Sequence, residues 1–261
     1  MVICYRKKML RLAQIWFYGS REEFRRSGKE EAAMAKKADI AFYHGIREPE
    51  SGPFCLKQTF HSRFSDLTLP EETLFLQISK TGRNEVRRSE KDGAEREFFD
   101  SGELLERPEI LEGLAEMYRR MYASKGKEAF MNLEQMRAYA REGALYCSRV
   151  RKDGEDLVYH SYLADETCAR LLHSVSDFRE SQDGALISRA NRGLHWEDMK
   201  RFAKKGLSVY DWGGISNPEA PNGIDQFKIK FGGEPVTYYN AIEGRSVLGK
   251  LAVLALRIKG F

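Results

Sequence analysis

Apolar positions change their period several times along this chain, and each change marks an element. Residues 11–19, RLAQIWFYG, and 38–46, ADIAFYHGI, are short apolar runs of strand length. The Lys/Glu/Ala-rich SGKEEAAMAKKA at 27–38 reads as a helix between them, PESGP at 49–53 as a loop, and FCLKQTFHSRF at 54–64 as another strand. The period then lengthens. Thr68-x-x-Glu71 has capping-box form with Pro70 in the first turn, which predicts one helix from there to Gly93. Phe75, Ile78, Gly82 and Val86 fall on one of its faces, and Lys80, Arg83, Arg87 and Lys91 on another.

Two further helices are expected at about 108–124 and 132–142. A three-strand meander follows: ALYCSRVRK turns at Asp153-Gly154 into DLVYHSYLA, which turns at Asp165-Glu166 into CARLLHSVS. Asp183 is placed to cap a long helix, with Lys204 and Lys205 at its negative end and Gly206 at its stop. LSVYD is a strand, GIDQFKIKF a short helix, PVTYYNAI a last strand. The apolar SVLGKLAVLALRIKGF reads as an element packed on the core, with a membrane-surface helix as the alternative. Antiparallel strands followed by β-α-β-α-β make an α/β (α+β) chain with a mixed sheet flanked by helices. The expected organisation is an incomplete N-terminal companion over residues 1–100 and a complete domain over 101–261.

Composition narrows the function classes. The net charge of +4 with 31% charged residues permits an anionic partner without demanding one. Cys4, Cys55, Cys147 and Cys168 have no CxxC spacing and no histidine at zinc-ligand spacing, so neither a structural zinc nor a disulfide framework is expected. No apolar run reaches membrane-spanning length, and the first residues lack the form of a signal peptide, so a cytoplasmic location is expected. The chain has no GxSxG, P-loop, HExxH or GxGxxG.

Two places carry candidate chemistry. His160 and His173 lie on neighbouring strands of the meander and are candidates to line a cleft, although each alone is an ordinary half-buried strand residue. In SVYDWGGISN, Asp211 and Trp212 end a strand and Gly213-Gly214 follow at once. Strand ends in such sheets face ligand crevices, and paired glycines let a ligand approach the backbone; a plain turn would use the same residues.

The stretch NRGLHWEDMKRFAKKGLSVYDWGGIS…GIDQFKIKFGGEPVTYY resembles the C-terminal signature of the Fem-type peptidoglycan aminoacyltransferases and their relatives in the GNAT acyltransferase superfamily. The matching positions include Asn191, Leu194, Trp196, Tyr210, Asp211, Gly213, Gly214, Phe227, Lys228, Phe231, Gly232 and Gly233. LQISKTGRNEVRRSEKDG resembles a second Fem-type segment. The helical-hairpin arm of several Fem proteins has no counterpart.

The resemblance implies acyl transfer to an amine. The sheet should open between strands 168–176 and 207–211, and the donor should lie there. Phe227 and Lys228 take the place of a Phe-Lys pair close to the transferred group; the strand end places Asp211, Gly213 and Gly214 as the crevice floor across from Lys228, with Trp212 at its edge. The donor is aminoacyl-tRNA or acyl-CoA, with no tightly bound cofactor. A tRNA donor would engage Arg83, Arg87 and Arg88, a face diluted by Glu85 and Glu90; a CoA donor would want a (Q/R)xxGx(G/A) loop, of which only Gln182 and Gly184 are present. The acceptor is a small-molecule, peptide or cell-wall-precursor amine. A CoA-dependent N-acetyltransferase and a non-catalytic binding module on the same fold are the competing readings.

Overall fold

The computed structural model describes residues 1–19, 37–47, 52–179, 181 and 183–259. In chain order its first elements are β1 (Val2–Lys7), β2 (Leu10–Gly19), β3 (Ile40–Ile46), β4 (Cys55–Asp66), α1 (Glu71–Gln77), α2 (Lys80–Ser89) and β5 (Glu95–Phe99). Next come α3 (Ser101–Glu106), α4 (Pro108–Ala123), α5 (Leu133–Arg141), β6 (Leu145–Lys152), β7 (Glu155–Ala164) and β8 (Cys168–Ser176). The last are α6 (Gly184–Lys204), β9 (Val209–Asp211), α7 (Gly223–Lys230), β10 (Glu234–Gly244) and α8 (Val247–Ile258).

The chain divides into two compact units, Met1–His61 with Val236–Phe261, and Ser62–Pro235. In the first, β1 and β2 form an antiparallel hairpin, β2 and β3 run parallel, and β3 pairs antiparallel with β10. Val253 of α8 packs on Leu12, Ile40, Leu56 and Ile242. In the second unit the end of β4 pairs antiparallel with β9, β9 runs parallel to β8, and β8, β7, β6 and β5 continue antiparallel. This is the mixed sheet flanked by helices that the sequence pattern predicts.

Three expectations change. The boundary near residue 100 falls inside the second unit, because β5 before it pairs with β6 after it, Glu95 opposite Arg151. The helix over 68–93 is two helices: Ile78 is extended, and the Ser79 side chain accepts from the Gly82 amide to start α2 afresh. Thr68 hydrogen-bonds Asp66 instead of capping, which leaves Pro70 at the start of α1. The helix expected over 27–38 lies outside the described residues except at its last two positions.

Large aromatic and aliphatic side chains on α6 hold the second unit together. Trp196, Met199 and Phe202 are buried against Tyr162, Tyr210, Trp212 and Phe231. On its first turns Ile187, Ala190 and Leu194 pack on Val150 and Val158. The Asp183 carboxylate accepts from the Leu186 amide at 2.8 Å and begins the helix where the sequence places it.

Candidate active site

β8 and β9 pair over three residues only, Cys168 with Val209, Ala169 with Tyr210 and Arg170 with Asp211. Beyond Arg170, β8 continues to Ser176, whereas β9 ends at Asp211. A cavity of about 540 Å³ lies at this opening. Leu171, Ser174 and Ser176 of β8 form one side; Asn191, Arg192 and His195 of α6 another; Phe227 and Lys228 of α7 a third. Arg120 and Lys125, at the end of α4, and Phe178 and Arg179 close the rim.

α7 is fixed by a capping box that the sequence reading did not pick out. Asn222 accepts from the amides of Ile224 and Asp225, and the Asp225 carboxylate answers the Asn222 amide. Asp225 also accepts from the Ser216 amide at 3.0 Å, which ties the loop after β9 to this helix. Lys228 is thereby held with its Nζ donating to the Gly214 carbonyl at 2.7 Å. Burial pushes the Lys228 ammonium below the ordinary lysine value, and Asp211 and Asp225 pull it part of the way back. Phe227 lies against His195 and Phe231, with ring centroids 5.4 and 5.2 Å apart, and the Arg192 guanidinium sits over its ring.

Gly213 explains the first of the paired glycines. Its φ is +68°, and a Cβ there would meet the Leu171 carbonyl oxygen at 2.7 Å. The pair in FKIKFGG serves a similar contact, since a Cβ on Gly233 would meet the Phe64 carbonyl oxygen at 2.6 Å. Arg63 of β4 donates to the carbonyls of both Gly232 and Gly233 and secures this corner.

Asp211 is not on the cavity floor. It is fully buried, accepts from Arg170 Nε at 2.6 Å and the Gly213 amide at 2.9 Å, and takes a hydrogen bond from Ser62 Oγ. Its lone pairs are committed to joining β4, β8 and the turn after β9. Trp212 is also wholly buried, its indole donating to Ser65 Oγ at 3.0 Å, so it supports His195 from behind.

The two meander histidines part company. His160 is adjacent in β7 to Ser161, and Ser161 is the residue opposite His173, so alternation sends the histidines to opposite faces. His173 meets Ser161 Oγ at 2.8 Å, and burial pushes its pKa down to about 4. His160 is fully buried between Asp198 and Asn191, at 2.8 and 2.7 Å. The basic residues of α2 also stand away from the cavity. Arg83 donates to the carbonyls of Leu76 and Ile78, and Arg87 covers the Phe75 ring; Arg88 is not among the lining residues either.

A buried polar network backs the cavity instead. His195 Nδ1 meets the Tyr210 hydroxyl at 2.8 Å, Tyr210 meets Tyr162 at 2.9 Å, and Tyr162 donates to Asp198 at 2.6 Å. Asp198 continues through His160 to Asn191, so both ends of the network, His195 and Asn191, reach the cavity. Burial, aided by His160, Lys228 and Arg192, holds His195 well below the usual histidine value. A histidine kept neutral in this way orients hydrogen bonds but is a poor proton acceptor. Its only sequence signal was its place inside the Fem-like stretch. Among the described residues, no group of three or more His, Cys, Asp or Glu could hold a metal ion, and no helix is long and apolar enough to cross a membrane.

Neither a family model nor a curated protein sequence matches the chain. Solved structures do. FemX superimposes with a TM-score of 0.62 at 14% identity, over 97% of this chain and 86% of that one. The C-terminal domain of a protein named as a lysylphosphatidylglycerol synthetase, from Agrobacterium fabrum, gives 0.56 at 14% identity, over 98% and 84%. L-PGS from Bacillus licheniformis gives 0.51 at 13% identity, over 100% and 86%. The fold is therefore Fem-like.

Proposed function

We propose that this chain is an aminoacyltransferase, moving an aminoacyl group from aminoacyl-tRNA onto the amine of a small-molecule, peptide or cell-wall-precursor acceptor in the cytoplasm. The observation that carries this reading is Lys228, held by its bond to Gly214 at the opening between β8 and β9 and facing the cavity beside Phe227. In the reaction the acceptor nitrogen forms a bond to the donor ester carbon. The ester C–O bond to the tRNA ribose breaks, and the proton lost by the amine ends on the leaving ribose oxygen. Negative charge gathers on the carbonyl oxygen in between, and a half-desolvated ammonium is suited to stabilise it. Phe227 shields that charge from water, and Asn191 and His195 supply neutral polar groups for the acceptor.

Two features favour tRNA over CoA. Lys125 and Arg179 line the cavity with Lys228, a setting for a phosphodiester chain, while Arg120 and Arg192 are paired with Asp177 and Glu85. The N-terminus of α6, where CoA-using relatives are expected to hold the pyrophosphate, is capped by the Asp183 carboxylate, which repels a second anion. Gln182, the other residue of that loop, lies outside the described residues.

The test is single-turnover transfer to a panel of amines, run with a mixed pool of charged tRNAs and, in parallel, with acetyl-CoA. Product from charged tRNA alone is expected. Product from acetyl-CoA alone would reassign the chain as a CoA-dependent transferase. Binding of either donor without turnover across the panel would favour a binding module.

A further inference from the structure

α8 turns an apolar stripe outward. Val247, Leu251, Leu254 and Ile258 recur at the spacing of one helix face, and they are 76%, 58%, 40% and 80% exposed. The opposite side is already satisfied: Val253 is fully buried, and Ala252 and Leu256 pack with it on Leu12, Ile40 and Ile242. A surface helix ordinarily presents polar residues outward. Here the outward face is apolar, and its borders are basic. Lys250 and Arg257 lie along one edge and Lys259 along the other, with no acidic residue between Val247 and Lys259. The β1–β2 turn adds Lys7, Lys8 and Met9, the last 84% exposed, next to Leu10, which packs in the same cluster as Leu256.

We propose that this face of α8 seats the chain on an anionic lipid surface. With 12 residues, α8 is about 18 Å long, well short of the roughly 20 residues needed to span a bilayer, so it would lie in the interface. An apolar strip bordered by lysine and arginine fits the boundary between acyl chains and anionic headgroups. A second copy of the chain fits less well. A stable dimer buries about 800 Å² per partner, more than one stripe of this length offers, and a symmetric contact would bring Lys250 and Arg257 near the same cations of the other copy. The helix is firmly built for such a role: Ser246 caps it, and Arg257 donates to the Gly52 carbonyl at 2.7 Å.

Flotation of the full chain with vesicles tests this, one set of phosphatidylcholine alone and one with a third of phosphatidylglycerol. Capture by the phosphatidylglycerol vesicles, reversed by salt, is expected. Leu251→Glu/Leu254→Glu, at two exposed positions, should weaken capture about tenfold or more with unchanged circular dichroism. Lys250→Glu/Lys259→Glu should weaken it at low salt only. The proposal is overturned if neither vesicle captures the chain, if both capture it equally, or if Leu251→Glu/Leu254→Glu floats like the wild type. It is overturned also if light scattering shows a dimer that Leu251→Glu/Leu254→Glu converts to monomer, which would assign the stripe to a second copy.

Discussion

Arg170 and Asp211 are the last residues paired between β8 and β9, and their side chains form an ion pair at 2.6 Å at the point where the strands part. Asp211 has no exposed surface and Arg170 little, so this pair is a buried pin at the root of the cavity. Breaking such a pair from one side leaves an uncompensated charge, at a cost of about 3–5 kcal/mol. Arg170→Met and Asp211→Asn should each lower the unfolding free energy by a large part of that, and the double variant by less than the sum. Urea unfolding of the four proteins checks this. Additive losses would mean that the two side chains act independently.

Gly213 should be the least replaceable residue of its turn. In Gly213→Ala a left-handed conformation and a collision with the Leu171 carbonyl coincide, for a cost of about 1–3 kcal/mol or more. Gly143 makes the control, since its φ is +72° but a Cβ would have open space. Thermal unfolding should place Gly143→Ala between the wild type and Gly213→Ala. Equal losses would show that the approach to Leu171 relaxes without strain.

Much of this architecture was legible because local pattern and packing agree. The meander, α6 and the short α7 each carry their own periodicity, whereas Gly213 and Gly233 make close approaches to the chain's own carbonyls, at Leu171 and Phe64, and not to a ligand. What failed did so for nonlocal reasons. Asp211 looked like a crevice acid because its sequence neighbours are a strand end and a glycine pair; its partners, Ser62 and Arg170, lie far away in the chain. His160 and His173 looked paired because strand adjacency is visible in sequence, whereas the face each occupies depends on register. The Arg83 face looked free because its carbonyl partners exist only where α1 ends and α2 begins. The cationic rim of Arg120, Lys125 and Arg179 went unread because it joins the end of α4 to the loop after β8.

That rim makes a prediction about the donor. If the acceptor end of a tRNA enters the cavity, Arg179→Ala and Lys125→Ala should each remove a phosphate contact and flatten the salt dependence of binding by about 0.7 in the log–log slope. Arg83→Ala, Arg87→Ala and Arg88→Ala should leave the slope unchanged, because Arg83 and Arg87 are held by α1. Filter binding of charged tRNA over a salt series separates the two sets. A slope that follows the α2 variants and ignores the rim would move the tRNA track to that helix.

The last prediction concerns Lys228. As a cation opposite a developing oxyanion it should account for roughly a hundredfold in rate, so Lys228→Ala should slow single-turnover transfer by about that factor while the fold persists. Its pH signature is more specific. Burial lowers the Lys228 pKa, so the ammonium is lost at a lower pH than for a free lysine. The rate should be full below that lowered pKa and fall as pH rises through it, giving an alkaline limb below the ordinary lysine value. In Lys228→Arg the guanidinium stays charged, so the limb should retreat toward higher pH, while the altered shape of the group recovers only part of the rate. A pH–rate profile of the three proteins, beside circular dichroism, tests charge and fold together. An alkaline limb that persists unchanged in Lys228→Arg would assign it to another group, and full activity in Lys228→Ala would leave Lys228 as a clasp on Gly214 with no part in the transfer.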